Sequence, residues 1–255
     1  MNTAHTVKNL YAIIGYPLSH SFSPKYFTTK FEREQIPDSA YIALPIENIH
    51  QLPNLLQTYP NLRGLNVTLP YKQAVFEYLD EVDEGAATIG AVNTINIRDG
   101  QLKGYNTDAI GFEVSLKELL GGAANTQIKA LVLGSGGAAK AVNYVLGQMG
   151  IAYQVVSRTA EKGDLTYEKI TPDALQAHTL IVNTTPLGMH PNVNFAPNLP
   201  YEALRQEHFL YDLVYNPSET LFLKNGKDRG AAIMNGLKML HLQAEAAWEI
   251  WNETP

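Results

Sequence analysis

Residues 129–150, KALVLGSGGAAKAVNYVLGQMG, decide the fold class. Lys129 to Gly134 is an unbroken apolar run of the kind that forms a strand buried on both faces. It passes without a spacer into Gly134-Ser135-Gly136-Gly137-Ala138-Ala139 and then into a helical pattern. This is the order G-x-G-x-x-G/A. The first glycine permits a tight turn, the second lets backbone approach a pyrophosphate, and the third small residue packs helix on strand. The helix N-terminus supplies an anion site. Glycines alone also fit an ordinary small-residue turn. The strand before them, the helix after them and a further strand, YQVVS (153–157), select a dinucleotide-binding unit.

Further strands and helices alternate on both sides of this unit. Downstream, TLIVNTT (179–185) and FLYDLV (209–214) read as strands, AAIMNG (231–236) as a short fifth, and LKMLHLQAEAAWEIW (237–251) as an amphipathic terminal helix. Upstream, YAIIG (11–15), AYIALPI (40–46) and LRGLNVTL (62–69) are strand-like, with a helix near 47–58 between the last two. Ser23 and Pro24 suit the cap and first residue of a helix reaching about Gln35. Pro70 similarly suits the opening of a helix, and Tyr71, Val75, Tyr78 and Leu79 recur at helical spacing. Lys72 would then sit in a first turn, facing the positive end of the macrodipole, at a cost of up to ~1 kcal/mol. AVNTINI (91–97) and QLKGYN (101–106) read as a hairpin turning at Asp99-Gly100. A helix over about 109–120 follows, led by Thr107 and Asp108, and GGAANTQ (121–127) is the clearest linker. The fold class is α/β, with mostly parallel sheets covered by helices.

Bulk composition narrows the chemistry. The chain has 255 residues, enough for one large or two modest domains; 45% are hydrophobic and 17% charged, as in ordinary globular proteins. A net charge of −6 argues against nucleic acid or an anionic membrane as the main partner. No apolar run approaches the ~20 residues of a bilayer span. The N-terminal stretch has no basic region, long apolar core or cleavage site of a secretion signal, so the expected location is cytoplasmic. Cysteine is absent, which excludes disulfides, thiol nucleophiles and thiolate-held metals. The seven histidines show no metal-ligand spacing, and no metal is expected.

The residues ending YQVVS select the cofactor. An acidic residue there would bind the ribose 2′-hydroxyl of NAD. The chain has Ser157-Arg158-Thr159, with Lys162 beyond. Cations and hydroxyls suit a 2′-phosphate, and a guanidinium grips one bidentately. Glu161 and Asp164 blunt the positive field, but NADP is favoured.

Outside the nucleotide unit, four stretches are rich in small hydroxyls, amides and charge: SHSFSP (19–24), NVTLPYK (66–72), GAVNT (90–94) and GYNTD (104–108). Each lies at the exit of an expected strand, where open α/β sheets gather ligands. Each also has a bland reading: Ser23 and Asp108 as helix caps, Thr68 and Asn93 as strand residues. Together with GSGGAAKA, NTTPLGM, DLVYNPSET and the terminal GLKML, they resemble, in order and over nearly the whole chain, the shikimate dehydrogenase family.

That resemblance implies an N-terminal α/β substrate domain (1–107, with 236–255) and a Rossmann-like NADP-binding domain (108–235), the C-terminal helix returning to the first. It implies reversible reduction of 3-dehydroshikimate to shikimate with NADPH, a step toward chorismate and the aromatic amino acids. Carried over residue by residue, it makes Lys72 and Asp108 the catalytic pair. Ser21 and Ser23 would hold the substrate carboxylate, Thr68, Asn93 and Gln243 the ring hydroxyls, and Tyr215 a further substrate contact. Gly134, Ser135, Gly136, Gly137 and Ala138 would cradle the pyrophosphate. Ser157, Arg158, Thr159 and Lys162 would meet the adenosine 2′-phosphate. Asn183, Thr184 and Thr185 would border the cofactor, and backbone near Gly236 would meet the nicotinamide amide. Two departures stand out: the family's adenosine loop often reads Asn-Arg-Thr where this chain has Ser157-Arg158-Thr159, and the segment after it is short and poorly helical.

The nicotinamide would take or give hydride, leaving orientation and proton transfer to the protein. Lys72 would exchange the proton with the substrate oxygen, and Asp108 would orient it. A quinate/shikimate dehydrogenase using NAD would carry an acidic residue after YQVVS, and a catalytically inactive shikimate sensor would have lost the lysine or the aspartate. A methylenetetrahydrofolate dehydrogenase shares the layout but not SHSFSP or NVTLPYK. Monomer and homodimer are both compatible with the sequence.

Overall fold

The computed structural model describes residues 3–19, 21–122 and 127–253. His20 of SHSFSP and four residues of the expected linker, 123–126, lie outside these. The chain divides into two compact units, Met1–Thr107 with Ala244–Pro255, and Asp108–Gln243. The second unit thus runs past the expected return point at 236.

In the first unit, β1 (Asn9–Gly15) is followed by α1 (Ser23–Arg33), β2 (Ser39–Pro45), α2 (Leu52–Thr58) and β3 (Leu62–Val67). Then come β4 (Glu81–Val82), α3 (Glu84–Ile89), β5 (Thr94–Arg98) and β6 (Gln101–Tyr105). They form a sheet of order β2-β1-β3-β5-β6-β4. β1 pairs in parallel with β2 and β3, whereas β5 is antiparallel to both β3 and β6. Asp99 and Gly100 both adopt positive φ (50° and 82°), as the expected tight hairpin requires.

The period of two along β1 explains the layering. Leu10, Ala12 and Ile14 enter one core with Leu65, Val67, Val75 and Ile95. Tyr11 and Ile13 enter another with Phe27, Phe31 and Tyr41 beside the end of the terminal helix, Ala244 to Trp251. The indole of Trp251 lies directly on the sheet. A Cβ on Gly64 would come within 2.3 Å of its Nε1, and that Nε1 donates to Ile95 O (2.9 Å). Glycine is required there by close approach. Lys30 Nζ pairs with Glu245 at 2.7 Å, a second tie between α1 and the terminal helix.

The second unit opens with α4 (Thr107–Leu120) and continues with β7 (Lys129–Leu133), α5 (Gly137–Gln148), β8 (Ala152–Ser157) and β9 (Leu165–Thr166). α6 (Pro172–Gln176), β10 (Leu180–Asn183), β11 (Phe209–Asp212), α7 (Leu221–Lys227), β12 (Ala232–Met234) and α8 (Leu237–Asn252) complete it, the last running on into the first unit. Its sheet, β12-β11-β10-β7-β8-β9, is parallel throughout. Leu131, Leu133, Ile181 and Leu210 are fully buried in its core, which accounts for the continuous apolar runs.

Three local expectations are corrected. No helix spans 71–79. Residues after Pro70 form a turn and then a 3₁₀ segment, Ala74–Tyr78. In an α-helix the Lys72 carbonyl would accept from Phe76 N–H. Here it accepts from Val92 N–H (2.8 Å), and Phe76 N–H goes to Gln73 O instead. Lys72 therefore meets no macrodipole of an α-helix. Next, Ser23 is not a cap: α1 begins at Ser23, with Phe22 in the capping position making no side-chain cap bond. Lastly, α4 begins at Thr107, so Asp108 lies inside its first turn rather than ahead of it.

Candidate active site

In the first unit, three of the expected substrate and catalytic residues, Thr68, Lys72 and Asn93, lie together where β3 ends and β5 begins. Thr68 follows β3, its N–H bonded to Ile14 O (2.9 Å) and its carbonyl accepting from Tyr71 N–H (3.0 Å). A Cβ on Gly15, the last residue of β1, would meet the Thr68 methyl at 2.5 Å, so glycine lets the two strand ends close up. Lys72, half-buried, is held by its carbonyl to Val92 N–H, one residue before Asn93. Asn93 O accepts from Val67 N–H (2.8 Å), and Asn93 N–H donates to Tyr105 O (3.0 Å). Ser21 is half-buried, with its N–H on Leu18 O.

Ser23 is buried, and its hydroxyl bonds the phenol oxygen of Tyr41. Burial pushes the Tyr41 phenol well up, opposed by this bond, so it remains a neutral donor. Tyr41 Oη donates to Asn66 Oδ1 (2.6 Å). Asn66 Nδ2 in turn donates to Thr94 Oγ1 (3.2 Å) and Asn93 O (3.3 Å). Asn93 Oδ1 accepts from Thr107 N–H (2.7 Å), while Asn93 Nδ2 donates to Thr107 Oγ1 (3.0 Å). A continuous polar chain thus links Ser23 to Asn93 through a hydrophobic interior, where each unmade bond would cost ~1–3 kcal/mol. Tyr41, Asn66, Thr94 and Thr107 carry this chain and were not assigned from sequence. Asn66, Thr94 and Thr107 lie within motifs already marked, but nothing in the order of residues says where a Tyr41 hydroxyl will point.

In the second unit, Asp108 lies half-buried in the first turn of α4. One turn on, a Cβ at Gly111 would come within 2.5 Å of Met239 O and close to Gln243, so this glycine lets α8 lie against α4. Gln243 is buried, and its Nε2 donates to Leu240 O (2.9 Å). Gly236 N–H donates to Val214 O (3.2 Å), and a Cβ there would strike Leu213 O at 2.1 Å. Gly236 is thereby brought beside the segment that ends in the partly exposed Tyr215.

The glycine loop has the geometry its pattern requires. Gly134 has φ of 109°, and a Cβ on it would crowd Thr184 Oγ1 at 2.7 Å. Cβ atoms on Gly136 and Gly137 would meet nothing within 4 Å, leaving open space over the first turn of α5. This is room for a pyrophosphate against the helix N-terminus. Ser135, Gly136, Lys140, Asn143, Lys162 and Asp164 line a cleft of about 420 Å³ beside it. Asp164 is occupied by Val155 N–H (2.8 Å), and Lys140 is a cation the sequence reading did not single out. Ser157 is buried, 3.5 Å from Ser135 Oγ and accepting from Thr159 N–H, so it shapes the loop; Arg158, Thr159 and Lys162 are exposed.

Asn183 is fully buried, and its amide is consumed internally. Its Oδ1 accepts from Thr185 N–H (3.0 Å) and Oγ1 (2.6 Å), and its Nδ2 donates to Asp212 Oδ1 (2.9 Å). Thr184 Oγ1 donates to Leu133 O (2.8 Å). Asp212, also fully buried, accepts from Val214 N–H (3.0 Å) and Thr220 Oγ1 (2.6 Å). Desolvation pushes its carboxyl up to about 6 against these three bonds. Asp212 thus joins the loops after β10 and β11, another role invisible in sequence.

Among the described residues, no cluster of three or more His, Asp or Glu could hold a metal, and no helix is long and apolar enough to cross a membrane.

Residues 13–95 match the family described as shikimate dehydrogenase substrate binding domain. A curated NADP(+) shikimate dehydrogenase from Carboxydothermus hydrogenoformans is 42% identical over 95% of this chain and 91% of its own. The crystal structure of shikimate 5-dehydrogenase from Thermus thermophilus, in complex with NADP(H) and shikimate, is 34% identical with a TM-score of 0.80, covering 96% of this chain and 93% of that one. Quinate dehydrogenase from Corynebacterium glutamicum in complex with NAD is 28% identical with a TM-score of 0.87, covering 96% and 94%.

Proposed function

The chain belongs to the shikimate dehydrogenase family, and we propose that residues of both its units carry that family's reaction. It is an NADP-dependent oxidoreductase that interconverts 3-dehydroshikimate and shikimate. The observation that carries the assignment of residues is the anchoring of Lys72 by Val92 N–H next to Asn93, itself built into the buried Ser23–Tyr41–Asn66 chain.

Bound NADPH supplies the hydride for the carbonyl carbon. Lys72, as the ammonium, gives a proton to the carbonyl oxygen as charge develops there, and takes it back when shikimate is oxidised. Asp108 orients that ammonium. Thr68, Asn93 and Gln243 hold the ring hydroxyls, Ser21 and Ser23 the carboxylate, and Tyr215 adds a contact. The N–H groups at the start of α5, opened by Gly134, Gly136 and Gly137, would hold the pyrophosphate, with Ser135 and Ala138 beside it. Arg158 and Lys162 would hold the 2′-phosphate, with Thr159 and the shaping hydroxyl of Ser157. Thr184 and Thr185 would border the cofactor on the loop that Asn183 organises, and Gly236 backbone would meet the nicotinamide amide. The substrate unit is then Met1–Thr107 with the end of α8, and the cofactor unit the remainder. The working location is the cytoplasm, with small-molecule partners and either a monomer or a homodimer.

The test follows reduced-nicotinamide absorbance with shikimate or quinate, each paired with NADP or NAD. Turnover with shikimate and NADP is expected. Preference for quinate and NAD, the pair suggested by the Corynebacterium likeness, would overturn the cofactor assignment. Shikimate binding without turnover would overturn the role of Lys72.

A further inference from the structure

Asp212 is the sole buried carboxylate among the described residues, and it is fully buried. A carboxylate stands in a dry interior only where donors surround it. Here Oδ1 accepts from Asn183 Nδ2 (2.9 Å) and Val214 N–H (3.0 Å), and Oδ2 accepts from Thr220 Oγ1 (2.6 Å). Asn183 and Asp212 are register partners at the ends of β10 and β11, so their bond ties one strand exit to the next. The same Asn183 amide accepts from Thr185 N–H and Oγ1, which fixes the loop after β10. The Val214 carbonyl accepts from Gly236 N–H, just beyond the end of β12. Thr220 in turn caps α7 by accepting from Leu223 N–H. One carboxylate thus locks the exits of β10, β11 and β12 into a single rim.

The sheet order determines which half of the cofactor that rim meets. The glycine loop follows β7, which lies between β8 on one side and β10 on the other. Ser157 ends β8 and Arg158 follows it. A cofactor with its pyrophosphate on the glycine loop and its 2′-phosphate at Arg158 extends its nicotinamide half the other way, over the ends of β10, β11 and β12. Hydride transfer tolerates little misplacement of that ring.

We propose that Asp212 is a positioning residue for the nicotinamide half of the cofactor. It touches no ligand itself and acts by fixing Thr185, Val214 and Gly236 relative to one another. This rests on the cofactor placement proposed for the glycine loop and Arg158.

The test compares Asp212→Ala with Asp212→Asn, whose carbonyl oxygen can still accept from Asn183 Nδ2 and Val214 N–H. Each is titrated by calorimetry with NADP and with adenosine 2′,5′-bisphosphate, which keeps the 2′-phosphate and lacks the nicotinamide half. In Asp212→Ala we expect the Kd for NADP to rise about tenfold, the size of one lost hydrogen bond, and kcat for shikimate oxidation to fall. The Kd for the bisphosphate should stay within about twofold of the wild type, and Asp212→Asn should recover most of the NADP affinity. If Asp212→Ala does not fold, Asn183→Ala serves: it cuts the same tie from the β10 side and should give the same split between the two ligands. Equal losses for NADP and the bisphosphate, an unchanged Kd for NADP, or damage in Asp212→Asn equal to that in Asp212→Ala would each overturn the proposal. A wild type that binds NADP without oxidising shikimate would overturn the reaction alone, because the binding comparison decides the role of Asp212 without turnover. One that binds neither ligand would overturn the cofactor site and this role with it.

Discussion

The carboxyl of Asp212 offers a measurable signature of the second unit's interior. Its pKa is pushed up to about 6 from an ordinary 3.8, chiefly by burial. A group whose folded-state pKa is raised contributes stability that is fully present below its ordinary value and is lost as pH rises through the raised one. That rise in pKa is worth about 3 kcal/mol, at ~1.4 kcal/mol for each tenfold change in proton affinity. Of this, roughly 1.4 kcal/mol should be lost between about pH 5 and about pH 7.5. Asp212→Asn removes the titration. It also disturbs the bonds to Asn183, Val214 and Thr220, but that offset does not depend on the charge of residue 212. The quantity to read is therefore the wild-type minus variant stability at the two pH values. Both tryptophans, Trp248 and Trp251, lie in the first unit, so urea unfolding should be followed by far-ultraviolet circular dichroism. We expect the difference to shrink by about 1.4 kcal/mol toward the higher pH. A difference constant between the two would refute the reasoning that Asp212 is buried in a charge-hostile site.

Three further outcomes follow from the geometry. Lys72→Ala should lower kcat by ~10²–10⁴ with little change in shikimate KM, measured by steady-state kinetics; a near-normal kcat would remove it from proton transfer. Replacing Arg158 and Lys162 together by Met should raise the KM for NADP at least about tenfold, because charge-assisted bonds of ~1.5–3 kcal/mol are lost, and leave the KM for NAD unchanged. Gly64→Ala should lower the melting temperature and perturb Trp251 fluorescence. Its Cβ would fall 2.3 Å from the indole nitrogen, and overpacking of this kind costs ~1–3 kcal/mol. An unshifted melting curve would show that the indole can retreat.

The family entered through the resemblance of its ordered motifs, whereas composition and local pattern alone identified the α/β class, the glycine loop between β7 and α5 and the tight turn at Asp99-Gly100. Each of these depends on neighbours in the chain: a strand's period of two, a helix's spacing, or a turn that needs positive φ. The missed features depend on partners far along it. Lys72 sits in no helix because Val92 N–H, brought alongside by the fold, takes the carbonyl that a helical turn would use. Ser23 does not cap α1 because the helix already includes it, with Phe22 standing in the capping position. Tyr41 and Asn66 are 25 residues apart, Asn183 and Asp212 are 29 apart, and each pair is aligned by strand packing or register. A polar side chain in a dry interior must be satisfied by whatever donor or acceptor the fold delivers. The sequence marks which groups will need a partner, and only the tertiary structure decides which partner each one gets.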